Sequence, residues 1–212
     1  MINDASCGLV SFLIDEMVLI RALVYGESMI SSSDELVEVV MVLFYHTLWY
    51  THDVIIFSTD SGIERTGYAF FNKNSSSHRL LHYGCIITKR NFQLAARIKK
   101  IYDDISSLFK KHHPDILIIE QLFFNTNQKT VVSIAQSQGI LLLLAAQYDI
   151  PIEFLTPIQI KYILTGYGRS DKKNVQKMVR LLLSLEKMPE PDDVVDAIAC
   201  GLAYCQMNQM LK

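Results

Sequence analysis

Four acidic residues stand where acids are costly. Asp60 closes a stretch that begins with the apolar run Val54-Ile55-Ile56-Phe57, and Glu120 directly follows Ile116-Leu117-Ile118-Ile119. An ionised carboxylate at the tip of a buried strand is expensive unless a cation or hydrogen-bond donors compensate it. Strand C-terminal ends are also where open α/β sheets place their ligands. Asp193 and Asp196 are three residues apart at the start of a helical pattern, so both project from one helical face. The neighbours of Asp196 (Val194, Val195, Ala197, Ile198 and Ala199) are all apolar. Four acids from three separated elements could converge on two divalent cations. Oxygen-only ligands suit Mg²⁺ or Mn²⁺, and such a pair can activate a water and stabilise the leaving oxygen of a phosphodiester.

Each acid also has a plainer reading. Asp60-Ser61-Gly62 fits simple turn chemistry, Glu120 a solvated strand end, and Asp192 or Asp193, following Pro189 and Pro191, a helix cap. Their ordered combination is less easily accidental. Near them, Lys161, Arg169, Lys172, Lys173 and Lys177 surround Gly166 and Gly168. Such a loop can approach a phosphate backbone, or it can be an ordinary solvated face. Phe123 and Phe124 precede the polar run Asn125 to Gln128. One ring could stack on an unpaired base, worth about 1–3 kcal/mol, while core packing is the commoner fate of adjacent Phe residues. His112 and His113 precede Pro114, and His78 and His82 fall in a hairpin pattern; none is assigned to catalysis.

The elements that must position these groups alternate. Strands are expected at 54–57, 66–71 and 80–87, the last two joined by a turn over 72–77. Leu94, Ile98, Ile101, Ile105, Leu108 and Phe109 form one face of an amphipathic helix, which Pro114 stops. A strand at 116–119 follows, then a helix over 128–147 whose end, Ile140 to Ala146, is buried or shared with a partner subunit. A short strand at 152–155 precedes helices at 157–164, 171–185 and 193–209. The fold class is α/β: a ribonuclease H-like mixed sheet flanked by helices.

The chain has 212 residues, half of them apolar, and a formal net charge of −2, which by itself argues against a nucleic-acid protein. The charge is unevenly spread, however. Residues 1–53 hold Arg21 against eight acids, a net −7, whereas residues 54–212 hold 19 basic and 14 acidic residues, a net +5. The domains are therefore an acidic N-terminal extension, 1–53, read as two helices without detectable chemistry, and a body, 54–212. Alternatively, translation starts near Val54 and the front piece is no part of the natural product. Its apolar stretches are interrupted by charge or too short to span a bilayer, which takes about 20 apolar residues, and no signal peptide is evident. The four Cys form no CxxC pair, which suits a reducing compartment.

The body resembles the RuvC family of Holliday junction resolvases. Asp60-Ser61-Gly62 with Thr66-Gly67-Tyr68 is similar to its first motif, and Glu120-Gln121-Leu122-Phe123-Phe124 with Asn127 to its second. Ala135-Gln136 with Gly139, then Gly166-Tyr167-Gly168-Arg169 with Lys172 and Val175, then Asp193-Val194-Val195-Asp196-Ala197-Ile198-Ala199 follow in the family's order. Ser61 replaces the family's usual proline, and residues 1–53 have no counterpart. The resemblance implies a homodimeric, cytoplasmic, Mg²⁺-dependent endonuclease with two ions per subunit, for which Mn²⁺ can substitute. It would nick opposed strands of a four-way DNA junction in recombination and repair, alongside a branch-migration helicase of the RuvA and RuvB type. It further implies that Asp60, Glu120, Asp193 and Asp196 are the catalytic metal ligands, with Asp60 bridging the ions. Phe123 matches the family's wedge aromatic, and Lys161 and Lys172 match basic positions; Arg169 and Lys173 join them as expected DNA contacts.

Two rivals belong to other classes. An ATP-binding domain of the actin and sugar-kinase type would use Asp60-Ser61-Gly62 as a phosphate turn, but such proteins generally need two domains around a cleft. A protein that holds branched DNA without cutting it would have little use for four acids that repel phosphate.

Overall fold

The computed structural model describes residues 53–121 and 128–210. The N-terminal extension expected over 1–53, apart from Asp53, and the Phe123–Phe124 pair lie outside the described residues. Strands β1 (Val54–Asp60), β2 (Arg65–Lys73), β3 (His78–Ile87), β4 (Ile116–Glu120) and β5 (Ile152–Leu155) form one sheet in the order β3-β2-β1-β4-β5. β1, β2 and β3 pair antiparallel, whereas β4 runs parallel to both β1 and β5. The β2–β3 turn falls where the Asn- and Ser-rich run places it. Asn74 Oδ1 accepts from the backbone N–H of Ser76 (3.1 Å) and Ser77 (2.9 Å), which holds the turn closed.

Helices α1 (Leu94–His112) and α2 (Gln128–Gln147) cover one face of this sheet. The other face carries α3 (Pro157–Thr165), α4 (Lys172–Leu182) and α5 (Asp192–Met210). The period-two alternation of strands sorts residues between the two faces. Ile56, Ile116 and Ile118 join α5 in one core, while Phe57, Leu117 and Ile119 join α1 and α2 in the other. In the second core, Phe57 meets Phe70 at 4.8 Å and Phe109 edge-on at 5.0 Å. α5 is apolar nearly all round, which marks a buried helix; Val194, Val195 and Ala197 to Cys205, apart from Gly201, form part of the core.

The structure sorts two apolar runs by face. Leu94 opens α1 and is 43% exposed, the stripe packed on the sheet running from Ile98 through Ile101 and Ile105 to Phe109. In α2, Ile140, Leu141, Leu144 and Ala145 are buried, but Leu142 and Leu143 are exposed, because a helix lying on one sheet face presents only one side to it. Among the described residues no helix is long and apolar enough to cross a membrane.

Candidate active site

The sheet register carries two acids to one place. Thr59 pairs with Ile119 across the parallel β1–β4 ladder, so Asp60 and Glu120, the next residue of each strand, end side by side. Parity then selects their face. Asp60 falls in the series of Ile56 and Ser58, and Glu120 in that of Ile116 and Ile118, and both series face α5. Ser58 Oγ donates to the Ala197 carbonyl at 2.8 Å, tying β1 to the first turns of α5, where Asp193 and Asp196 stand. Acidic residues are also favourable at this end of a helix, where the macrodipole is positive.

Two glycines allow so close a seat. A Cβ at Gly67, which pairs with Asp60 across β1–β2, would overlap the Asp193 backbone carbonyl. One at Gly201 would overlap Ser58 Oγ and the Phe71 ring. The loop between β1 and β2 is clamped as well. Thr66 Oγ1 donates to the Gly62 carbonyl at 2.7 Å, Thr88 Oγ1 donates to that of Ile63, and the Thr88 N–H donates to that of Glu64 at 2.9 Å.

Asp60, Glu120 and Asp196 line one cleft of about 390 Å³, together with Gln138, Lys161 and Lys172. Asp193 lines an adjoining groove that shares Asp60, Ser61 and Ile134 with the cleft. Burial, and then the charge of Glu120, raise the pKa of Asp60 to about 7. Burial, and then Asp196, raise that of Glu120 to about 7. Burial also raises Asp196, against the pull of Lys172. Lys172 Nζ lies 2.8 Å from Asp196 Oδ2 and 3.3 Å from Asp192 Oδ2. Burial opposes its charge, but these carboxylates outweigh that and raise its pKa. Arg65 Nε lies 3.2 Å from Asp193 Oδ2. Among the described residues no three His, Cys, Asp or Glu side chains are grouped tightly enough to hold an ion as they stand. Basic side chains hold the three acids of α5 instead, Arg65 on Asp193 and Lys172 on Asp192 and Asp196.

The donor set nevertheless suits a hard divalent cation. It is all oxygen, its strand acids are held up near pKa 7 by burial and by one another, and positive charge would relieve both costs. Ser61 Oγ, buried beside Asp60 and without a hydrogen-bond partner among the described residues, is a further oxygen in the same wall.

The structure thus places Lys161 and Lys172 in the cleft with the acids, while Arg169 and Lys173 are exposed and do not line it. Lys172 is the first residue of α4, whose N-cap Asp171 accepts from Asn174 N at 2.8 Å. Lys161 lies on α3, started by a Thr156–Gln159 capping box. The sequence reading missed Gln138, whose Nε2 donates to the Glu120 carbonyl at 2.9 Å, and Arg65 on Asp193. The only available signal for either was an isolated polar residue beside a motif.

A sequence model of the family described as crossover junction endodeoxyribonuclease RuvC matches residues 56–204. The chain belongs to the RuvC family. The RuvC protein of Dictyoglomus thermophilum is 38% identical over 151 residues, covering 71% of this chain and 96% of that protein. The RuvC protein of Clostridioides difficile is 36% identical over 159 residues, covering 75% and 94%. Among solved structures, Thermus thermophilus RuvC in complex with a Holliday junction substrate matches with a TM-score of 0.69 and 25% identity, covering 74% of this chain and 96% of that one. The yeast mitochondrial Holliday junction resolvase Ydc2 shares the fold, with a TM-score of 0.55 at 14% identity over 82% of this chain and 88% of that one. These relatives share the ribonuclease H-like sheet expected from the order of elements.

Proposed function

We propose that this chain is a crossover junction endodeoxyribonuclease that resolves four-way DNA junctions by hydrolytic nicking. The observation that carries the reading is the row of Asp60, Glu120 and Asp196 in one cleft, with Asp193 beside it, in a chain of the RuvC family. Asp60, Glu120, Asp193 and Asp196 would hold the divalent cations, Mg²⁺ by preference and two per subunit. When bound, the ions supply charge for the developing oxyanion and a water of lowered pKa.

The chain's own groups do the rest. Ionisation of Asp60 and Glu120 is suppressed in the free cleft and favoured once positive charge enters, so cation binding releases protons. Lys172 is held over the acid row by Asp196 and Asp192, within reach of a phosphate lodged there. Lys161 faces the same cleft from α3 and lowers the pKa of Glu120, so it attracts an anion to that side. Gln138 fixes the backbone at Glu120, and the Thr66 and Thr88 clamps fix the loop after Asp60. Arg169 and Lys173 would grip phosphates farther along the strand, and Phe123 would wedge against an unpaired base.

Paired nicks require two such sites, so the working unit is a homodimer, and the family's RuvA- and RuvB-type helicase is its partner in the cytoplasm. Residues 1–53 are proposed as an acidic extension with no part in this chemistry. The test is incubation of the full chain with a labelled four-way junction and a matched duplex, with and without Mg²⁺. Paired nicks in the junction alone, dependent on the metal, are expected. Equal cutting of the duplex, or cutting in excess chelator, would overturn the reading.

A further inference from the structure

Beyond the cleft, Arg65, Arg90 and Arg97 line the adjoining groove, of about 700 Å³. They come from three places in the chain: the start of β2, the β3–α1 connection and the first turn of α1. The groove shares Asp60, Ser61 and Ile134 with the catalytic cleft, so Asp60 lies between a lysine side and an arginine side. We propose that this groove is a second phosphate-binding surface, which takes the DNA backbone as it leaves the acid row opposite Lys161 and Lys172. This inference rests on the junction-nicking reading and adds a strand path to it.

Three observations support the assignment. Arg97 is half-buried and its Nε donates to Thr88 Oγ1 at 2.8 Å, which fixes the guanidinium plane while its terminal nitrogens remain as further donors. Such a fixed fork suits bidentate phosphate recognition. Arg90 is highly exposed, and among the described residues its acidic partner is Glu64, which it meets through Nε at 2.7 Å and Nη2 at 2.6 Å. Both nitrogens converge on one carboxylate oxygen, Glu64 Oε2, where an anionic phosphate oxygen could stand instead, and an exposed ion pair of this kind holds weakly enough to be exchanged. Ser61 Oγ, buried and unpartnered where cleft and groove meet, is a hydroxyl donor for an oxygen that crosses Asp60. In this account Glu64 competes with the phosphate for Arg90.

The two members of the pair should therefore act in opposite directions, which loss of a merely structural ion pair would not produce. The experiment is a fluorescence titration of the full chain with a four-way junction across a salt series in Ca²⁺, comparing wild type, Arg90→Ala, Arg90→Lys and Glu64→Gln. Arg90→Ala is expected to weaken binding roughly three- to tenfold and to lower the slope of log affinity against log salt by about 0.7–0.9, the value for one phosphate contact. Arg90→Lys should keep the slope, and Glu64→Gln should tighten binding about two- to fivefold. Binding that is unchanged in all three variants, or weakened alike by Arg90→Ala and Glu64→Gln, would overturn the groove. A wild-type chain that binds the junction with the expected variant pattern yet never nicks it in Mg²⁺ would overturn the proposed function alone, because the groove is read by binding. Failure of the wild type to bind any junction would overturn both.

Discussion

The two faces of the sheet use the same strands for different purposes. On the α1–α2 face, alternate strand residues such as Phe57, Leu117 and Ile119 end in a closed aromatic and aliphatic core. On the α5 face, the same two strands carry Ile56, Ile116 and Ile118 and then finish in Asp60 and Glu120. One residue of register therefore decides whether a strand end packs into a core or turns an acid toward the cleft. The acids of the α5 face sit at the core's edge, lining the cleft beside the N-terminal end of a helix that is otherwise buried, and burial there holds the strand pair near pKa 7. The candidate site is thus a modification of a core's edge rather than an insertion into a loop.

Substitutions on the two faces should separate these roles. Glu120→Gln is expected to lower single-turnover nicking of a junction at least about a thousandfold, some 4 kcal/mol of barrier, with no loss of thermal stability. Removing a charge repelled by Asp60 and Asp196 relieves strain in the folded state. A fall in melting temperature to match the lost activity would mean that Glu120 is structural. Phe57→Ala, one face away, should cost about 3–5 kcal/mol in denaturant titration, as for a fully buried aromatic. Nicking per folded molecule should persist; its loss would mean that the two faces are not independent.

The acid row also sets a pH dependence. In the unfolded chain both strand acids ionise near pH 4, but in the metal-free folded protein they ionise at about 7. Between those values the folded state binds more protons, so stability falls as pH rises from about 4 to about 7. A thermal series in chelator should show this fall, Asp60→Asn should flatten it, and Mg²⁺ should recover stability above pH 7. A flat wild-type profile would contradict the burial of these acids. The smallest effect is expected at the loop clamp. Thr88→Val removes the hydroxyl that Ile63 accepts from and Arg97 donates to, while leaving the Thr88 N–H bond to Glu64, and should cost about 1 kcal/mol. Chemical denaturation would detect it, and a loss several times larger would show that the loop depends on that one hydroxyl.

Much of this was legible in the sequence because it is local. Acids that end apolar runs, and an Asp pair three apart in a helix, announce themselves by position, and so did the element order and the break at Pro114. What was not legible depends on residues distant in sequence. Nothing near Arg65 indicates that it will meet Asp193, and nothing near Gln138 indicates that it will bond the carbonyl of Glu120. Gly67 could be read as a motif residue, but its reason, the Asp193 backbone lying against it, appears only when α5 is packed on β2. The run Ile140 to Ala146 could be read only as buried or shared with a partner subunit; that Ile140, Leu141, Leu144 and Ala145 take the sheet side and Leu142 and Leu143 face outward appears only when α2 is packed on the sheet.

That the acids at the strand ends would hold the catalytic cations is decided by one substitution, Asp60→Asn in the full chain, measured on a four-way junction in Mg²⁺ with binding and nicking read on the same sample. The substitution keeps the shape at the centre of the acid row and removes its charge. The expected result is junction binding equal to or tighter than wild type with nicking abolished, whereas nicking at the wild-type rate would contradict the assignment.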